Sequence, residues 1–137
     1  MSGYGVVLLV DDEPWFSEAL AFTLESRGFE CIIATDMSLA VAALRTHQAS
    51  VVVTDIMMPA GSAFPKIDAS ESGFKFIEFV QKNWPGLPIV CLSVIGDQTK
   101  IDSLMDRGVR YLRKGETPLG TAVEIISAVA TGRRIRL

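Results

Sequence analysis

The amino-acid sequence predicts an α/β protein in which one parallel sheet carries helices on both faces. Short apolar runs alternate five times with longer segments whose apolar residues repeat at helical spacing. This alternation is typical of βα units joined by right-handed crossovers. With 137 residues, the chain is long enough for one domain with a substantial core and too short for two ordinary ones. We therefore predict a single doubly wound (βα)5 sheet, with strand order 2-1-3-4-5.

Apolar runs of strand length, bounded by turn signals, predict five strands. Most of their residues are β-branched or otherwise apolar, as expected of strands that are buried between two layers of helices. The predicted strands are Val6–Val10, Phe29–Ala34, Val51–Thr54, Pro88–Leu92 and Val109–Leu112.

Helical periodicity predicts a helix after each strand. The first helix stops at Gly28, the third closes before Pro85, and the last has Pro118 near its first turn and Gly132 at its end. The predicted helices are Glu13–Ser26, Ser38–Thr46, Gly73–Asn83, Gln98–Arg107 and Pro118–Thr131. We assign residues 1–132 to the domain and 133–137 to a frayed tail or the start of a truncated linker.

Composition excludes several classes of protein. The apolar fraction of 49% and the charged fraction of 21% are those of a soluble globular domain. A net charge of −3 without an extended basic face argues against direct nucleic-acid binding. The longest apolar runs are far shorter than a membrane span, and the N-terminus lacks the features of a signal peptide. We therefore expect no membrane contact and a cytoplasmic location.

Cysteine and histidine usage also restricts the chemistry. Cys31 and Cys91 have no metal-ligand spacing, so we expect two reduced core cysteines rather than a zinc site. His47 is the only histidine and lies in a polar stretch, which disfavours a His-centred catalytic triad.

Carboxylates follow two of the predicted strands. Asp55 ends the run Val51–Thr54, and Asp11 and Asp12 end the run Val6–Val10. In an open parallel sheet, ligands bind at the carboxyl ends of the strands. Acids that gather there repel one another unless a cation joins them. The pattern therefore predicts a divalent-metal site, and Mg²⁺ suits it because this hard cation binds carboxylate and phosphate oxygens.

Other polar residues are expected at the same edge. Ser93 follows the fourth strand, and Lys114 follows the fifth. With a metal offsetting charge, Lys114 could stabilise phosphoryl oxygens, Ser93 could donate a hydrogen bond, and Asp55 could attack phosphorus to form an acyl phosphate. The structural alternatives are a helix cap for Asp11 and Asp12, a helix-entry hydroxyl for Ser93 and a solvated charge for Lys114.

These residues lie in four motifs that resemble a known family. The motifs are LLVDDEP (Leu8–Pro14), VVVTDIMMP (Val51–Pro59), PIVCLSV (Pro88–Val94) and YLRK (Tyr111–Lys114). In order and spacing they resemble the receiver domain of response regulators in two-component signalling, a CheY-like domain of flavodoxin-like fold. The resemblance spans nearly the whole chain.

The resemblance implies a phosphorylation site. Asp55 is expected to be the phosphoacceptor, and Asp11, Asp12, Asp55 and the backbone carbonyl of Met57 are expected to hold Mg²⁺. The phosphodonor would be a phosphohistidine on a histidine kinase or phosphotransfer protein. Such a domain is a signalling switch rather than an enzyme, because it catalyses only its own phosphorylation and dephosphorylation.

The resemblance also implies a switch. Ser93 matches the residue that bonds the phosphoryl group, Tyr111 the aromatic residue that turns inward when Ser93 moves, and Lys114 the lysine that pairs with the phosphoryl oxygens. Phosphorylation would change the surface formed by the last two strands and helices. The expected partners are an output domain or protein and, on phosphorylation, a second copy of the chain.

The chain departs from the family in three places. Gly73 matches a glycine that receivers place soon after the motif proline, yet it lies 14 positions after Pro59. The resulting loop, about residues 60–72, is hypothesised to cover the site or bind a partner, with Lys66 within reach of the phosphoryl group; a tolerated insertion is the alternative. Val94 replaces a small residue beside Ser93, which is expected to restrict access to Asp55. Gly115 replaces a proline whose peptide bond is typically cis, so we expect a trans bond and a shifted Lys114.

Three other functions are considered. One is a receiver-like interaction module that is seldom phosphorylated. Another is an Mg²⁺-dependent phosphatase, which is disfavoured because Met57 stands where a second acid would be needed. The third is a flavodoxin-like cofactor binder, for which the chain lacks a Gly-rich phosphate loop.

Overall fold

A computed structural model describes residues 5–57, 59–64, 66, 72–94 and 97–132 of the chain. Strands and helices alternate throughout, as the sequence predicts. In chain order the elements are β1 (Val6–Val10), α1 (Pro14–Ser26), β2 (Glu30–Ala34), α2 (Met37–Thr46), β3 (Val51–Thr54), α3 (Ser72–Asn83), β4 (Ile89–Ser93), α4 (Gln98–Asp106), β5 (Arg110–Arg113) and α5 (Leu119–Thr131). The predicted tail, residues 133–137, lies outside the described residues.

The five strands form one parallel sheet in the order β2-β1-β3-β4-β5. This confirms the predicted fold class and strand order. β1 lies between β2 and β3, with Val10 opposite both Ala34 and Thr54. The residues that follow β1 and β3 therefore emerge side by side at the carboxyl edge of the sheet.

Side chains that alternate along the strands fill two separate cores, because successive residues of a strand point to opposite faces. Leu8 of β1 belongs to the core under α2 and α3, whereas its neighbour Leu9 belongs to the core under α1 and α5. The central strands β1, β3 and β4 are almost entirely buried. This rigid double layer fixes the strand ends that carry the site.

Three strands begin one residue later than predicted, for a hydrogen-bonding reason. The N–H groups of Phe29 and Val109 donate to Leu24 and Leu104 of the preceding helices, so these buried residues belong to the helix ends rather than to the sheet. Pro88 has no N–H to donate to a sheet. At their other ends β4 and β5 each extend one residue further, because Ser93 pairs with Arg113.

Helix boundaries also differ by about one residue, a shift within the ordinary uncertainty of helix ends. α2 begins at Met37 because the carboxylate of Asp36 caps it, accepting from the N–H of Leu39 at 2.8 Å. α5 ends at Thr131 and is followed by the C-cap residue Gly132, which has a φ of +72°, as the sequence predicts. None of the helices in the described ranges is long and apolar enough to cross a membrane.

The residues for which the sequence predicts no catalytic role lie away from the carboxyl ends of the strands. Cys31 and Cys91 are free thiols. Burial raises the pKa of Cys31 to about 12 and raises the pKa of Cys91 beyond the ordinary range of a thiol. His47 is exposed at the C-terminal cap of α2.

We expect Ser127→Ala to stabilise the fold. Ser127 is 2% exposed on α5, and its hydroxyl has no hydrogen-bond partner in the described structure. A buried polar group without a partner costs free energy that an alanine would not. Ser103→Ala, on the exposed face of α4, is the control for helix propensity. Urea unfolding should give a gain for Ser127→Ala that exceeds the control by up to about 1 kcal/mol; a loss of stability would contradict this.

Candidate functional site

Asp11 and Asp55 lie next to each other because β1 and β3 are adjacent and in register. The N–H of Asp55 donates to the carbonyl of Val10 at 2.9 Å, and that of Asp11 donates to the carbonyl of Ala34 at 3.0 Å. Each residue is only 6% exposed. The sheet therefore holds two carboxylates, largely out of water, at its carboxyl edge.

The carboxylate of Asp55 is held mainly through one oxygen. Its Oδ1 accepts from the hydroxyl of Ser93 at 2.7 Å and from the backbone N–H groups of Ile56 at 2.6 Å and Met57 at 3.2 Å. Its Oδ2 lies 3.2 Å from the Nζ of Lys114. These contacts fix the plane of the carboxylate and leave Oδ2 with the fewer described donors.

Lys114 joins the acids through its ammonium group. Its Nζ lies 2.7 Å from Asp11 Oδ2, 2.7 Å from Glu13 Oε1 and 3.2 Å from Asp55 Oδ2. It also lies 5.1 Å from the ring centre of Phe16, within cation–π distance. The backbone N–H of Lys114 donates to the carbonyl of Ser93 at 2.9 Å, which anchors the end of β5 beside β4.

The expected trans bond after Lys114 is present, since the described residues include no cis peptide. Gly115 has a φ of +88°, a conformation that side-chain-bearing residues rarely adopt. The lysine nevertheless reaches both buried aspartates. The replacement of proline by glycine therefore does not remove Lys114 from the acids.

Negative charge exceeds positive charge in this cluster, because three carboxylates share one ammonium group. Burial raises the pKa of Asp11 above its usual value and outweighs the hydrogen bonds from Lys114 and from the N–H of Glu13. Burial alone would lower the pKa of Lys114, but its hydrogen bonds to Asp11 and Glu13 raise that pKa well above the usual value. Lys114 therefore stays charged, and excess negative charge remains beside it.

The donor set fits a hard divalent cation. Asp11, Glu13 and Asp55 each offer a carboxylate oxygen, and these oxygens all lie within 4.8 Å of one another. Mg²⁺ prefers such oxygen ligands and would offset the excess charge. The predicted ligands Asp11 and Asp55 are thus brought together.

Two of the predicted metal ligands, Asp12 and the carbonyl of Met57, are not among the clustered carboxylates. Asp12 is exposed and is not one of the three clustered acids. Met57 lies beside Asp55, to which its N–H donates, but its carbonyl has no described role. The metal roles of both residues stay predictions.

Sequence reasoning missed Glu13, which takes part in the cluster. The signal was present, because Glu13 is the third acid of the motif LLVDDEP. From the linear sequence, Glu13 was expected only to begin the first helix. Its contact with Lys114 joins residues that follow β1 and β5, strands separated by β3 and β4 in the sheet, and the linear sequence does not show this contact.

The two predicted switch residues are directly linked. The hydroxyl of half-buried Tyr111 donates to the backbone carbonyl of Ser93 at 3.1 Å, while the Ser93 side chain donates to Asp55. A change at Asp55 can therefore reach β5 through a single residue. The switching itself stays a prediction.

The first residues of the long loop lie beside α2. The last residue predicted for the loop, Ser72, is the first residue of α3. The carbonyls of Pro59 and Ala60 accept from the N–H groups at the start of α2, at 3.0 and 2.9 Å. Further along, Phe64 packs edge-on against Phe79 of α3 at 6.2 Å. The described part of the loop therefore lies against α2 and α3. Lys66 is exposed, and the hypothesis of a cover over Asp55 concerns mainly residues outside the described ranges.

Comparison with known proteins places these features in a family. The model of the response regulator receiver domain matches residues 7–123. The chain is also similar to the non-phosphorylated HemR receiver domain from Leptospira biflexa, with a TM-score of 0.78 and 20% identity over 97% of this chain and 99% of that one. At that identity, the structural likeness supports the fold alone.

Curated relatives are longer than this chain. The probable transcriptional regulatory protein TcrX of Mycobacterium tuberculosis is 34% identical over 64% of this chain and 33% of its own length. The phosphate regulon transcriptional regulatory protein PhoB of Klebsiella pneumoniae is 29% identical over 82% of this chain and 46% of its own length. The chain thus spans less than half of each of these relatives.

We expect Gly73→Ala to destabilise the fold and disturb the loop that carries Asp55. A Cβ at Gly73 would lie 2.2 Å from the Cα of Ile56, and the N–H of Gly73 donates to the Ile56 carbonyl at 2.9 Å. Because backbone cannot yield as a side chain does, the expected loss is about 1–3 kcal/mol. Gly120→Ala on α5, where a Cβ meets nothing within 4 Å, should be neutral or stabilising. Equal effects of the two substitutions in chemical unfolding would refute the packing argument.

Proposed function

Since this chain belongs to the response regulator receiver domain family, we propose that Asp55 accepts a phosphoryl group from a phosphohistidine. The observation that carries the proposal is the set of contacts around Asp55. One buried carboxylate receives the Ser93 hydroxyl on one oxygen and the Lys114 ammonium on the other, beside a second buried acid, Asp11. A purely structural carboxylate would not need such an excess of neighbouring acid.

The transfer is an in-line displacement at phosphorus. Oδ2 of Asp55 is the better nucleophile, because Oδ1 already accepts three described hydrogen bonds. The new Asp55 O–P bond forms as the P–N bond to the donor imidazole breaks, and the imidazole keeps the electron pair and takes up a proton. Lys114, 3.2 Å from Oδ2, is placed to bond a phosphoryl oxygen. The product is an acyl phosphate on Asp55.

Asp11 and Asp55 are the residues that would hold Mg²⁺, with Asp12 and the carbonyl of Met57 as further candidates. When bound, the metal supplies electrostatic neutralisation of the phosphoryl oxygens and the carboxylates. The surplus of three carboxylates over one ammonium supports this assignment.

The proposed output is a change in the surface formed by β4, α4, β5 and α5. A phosphoryl group on Asp55 would attract the Ser93 hydroxyl away from Oδ1, and the Tyr111 hydroxyl is bonded to the backbone of that same serine. Phosphorylation would thus bias two arrangements of the last strands and helices. On this proposal the domain is a switch that catalyses only its own phosphorylation and dephosphorylation.

The partners follow from this chemistry. The donor is a histidine kinase or phosphotransfer protein, and the recipient of the signal is an output domain, a partner protein or a second copy of the chain. The names of the relatives TcrX and PhoB describe transcriptional regulators, which supports an output of that class. A cytoplasmic location stays a prediction.

We expect a small-molecule phosphodonor, acetyl phosphate, to phosphorylate Asp55 in the presence of Mg²⁺. Intact-protein mass spectrometry should show one added phosphoryl group in the wild type and none in Asp55→Asn, because an amide is a poor nucleophile. Removal of the adduct by hydroxylamine would identify an acyl phosphate.

Asp106→Asn is the matched control, since Asp106 is an exposed aspartate on α4. It should be phosphorylated like the wild type. An adduct that persists in Asp55→Asn would overturn the assignment of the acceptor. A wild type that forms no adduct with acetyl phosphate or with histidine kinases would favour an interaction module that is seldom phosphorylated.

We expect Val94→Ala to shorten the lifetime of the acyl phosphate several-fold. Val94 is 63% exposed and directly follows Ser93, whose hydroxyl donates to Asp55, so we expect its side chain to border the approach to Asp55. A smaller residue should let water reach phosphorus more easily. Decay of the adduct can be followed by mass spectrometry after the donor is removed. Equal lifetimes in the two proteins would refute the role of Val94.

A further inference from the structure

We propose that Glu13 is a positioning residue that retains the ammonium group of Lys114 when Asp11 and Asp55 bind a divalent cation. This inference rests on the proposed function, because it concerns the same acid cluster. The juxtaposition that carries it is a single ammonium with two buried carboxylate partners and one carboxylate partner at the rim.

The ammonium group contacts the same two buried carboxylates that would hold the metal. Lys114 Nζ contacts Asp11 at 2.7 Å and Asp55 at 3.2 Å, so it lies between the two buried carboxylates. A divalent cation that used the same oxygens would repel the ammonium at short range. Lys114 would then have to move away from at least one of its two buried partners.

Glu13 differs from these two acids in burial. Its side chain is 47% exposed, whereas those of Asp11 and Asp55 are 9% and 6% exposed. A half-exposed carboxylate can keep the ammonium 2.7 Å away without entering the space between the buried pair. Of the three acids, Glu13 is the one that can hold Lys114 at the rim.

The backbone of Glu13 is held in place, and its carboxylate is not needed to cap α1. The backbone N–H of Glu13 donates to Asp11 Oδ1 at 2.9 Å, which ties the residue to the metal-binding pair. Glu13 is also the N-cap residue of α1, yet its side chain makes no capping hydrogen bond. The helix therefore does not use this carboxylate.

Phe16 provides a second partner for the ammonium group of Lys114. Its ring centre lies 5.1 Å from Lys114 Nζ, one helical turn after Glu13. An ammonium that moves toward the rim keeps both a carboxylate and an aromatic face as partners. Lys114 thus stays close enough to engage a phosphoryl group on Asp55.

A double-mutant cycle tests this role. Mg²⁺ is titrated calorimetrically into the full chain as wild type, Glu13→Gln, Lys114→Met and the double variant, without any phosphodonor. Glu13→Gln should weaken Mg²⁺ binding roughly two- to fivefold, because the Glu13–Lys114 ion pair becomes stronger once the ammonium has lost Asp11 or Asp55 as a competing partner. In the Lys114→Met background the same substitution should have no effect, because no displaced ammonium needs a partner.

Two further variants control for charge and structure. Glu18→Gln removes an exposed acid of α1 and reports the loss of one surface charge. Glu13→Asp keeps the charge and should restore part of the affinity lost in Glu13→Gln, which a merely structural role would not predict. Urea unfolding of each variant verifies that it is folded.

The outcomes are distinct. An equal loss of affinity in both Lys114 backgrounds would make Glu13 a direct metal ligand or a distant charge and would overturn the proposal. An unchanged affinity in Glu13→Gln, or no Mg²⁺ binding by the wild type, would overturn it as well. If Asp55 fails to accept a phosphoryl group while the cycle behaves as expected, the proposed function fails alone. If Asp55 is phosphorylated and the cycle is additive, only the role of Glu13 fails.

Discussion

The site is built around two buried carboxylates that the sheet places side by side. Asp11 and Asp55 follow adjacent parallel strands, and their N–H groups complete the hydrogen bonding of the sheet. Their proximity is therefore imposed by the core packing on both faces of β1 and β3. Such a pair is costly to bury unless positive charge offsets it. Lys114 supplies one such charge, and the remaining excess explains why the cluster suits a divalent cation.

The same arrangement links the site to the far edge of the sheet. Ser93 donates from its side chain to Asp55 and accepts from Tyr111 and Lys114 through its backbone carbonyl. Through its hydrogen bonds, one residue that is 1% exposed thus connects β4 and β5 to the acid cluster. If Asp55 is phosphorylated as proposed, tight packing around Ser93 would leave few ways to accommodate the new group, which would favour discrete rather than gradual changes.

Much of this could be predicted from sequence because the signals are local. The apolar runs ending in Asp11 and Asp55 predicted the strands, and parallel topology predicted that both acids lie at one edge. Ser93 and Lys114 were expected there for the same reason, and each contacts Asp55. The exact strand starts at Glu30 and Arg110 were missed because Phe29 and Val109 are apolar yet bonded to the preceding helices. Glu13 was missed because its contact with Lys114 spans 101 positions and depends on side-chain geometry. For the loop after Pro59, no local pattern predicted that its first residues bond to α2.

The central claim is that buried negative charge at Asp11 and Asp55 exceeds what Lys114 offsets and creates a divalent-cation site. The most direct measurement is the free energy of unfolding as a function of Mg²⁺ concentration, for the wild type and for Asp11→Asn. If the claim is right, Mg²⁺ stabilises the wild type progressively, as a ligand of the folded state must, and stabilises Asp11→Asn much less. A wild-type stability that does not depend on Mg²⁺, or an equal dependence in both proteins, would contradict the account.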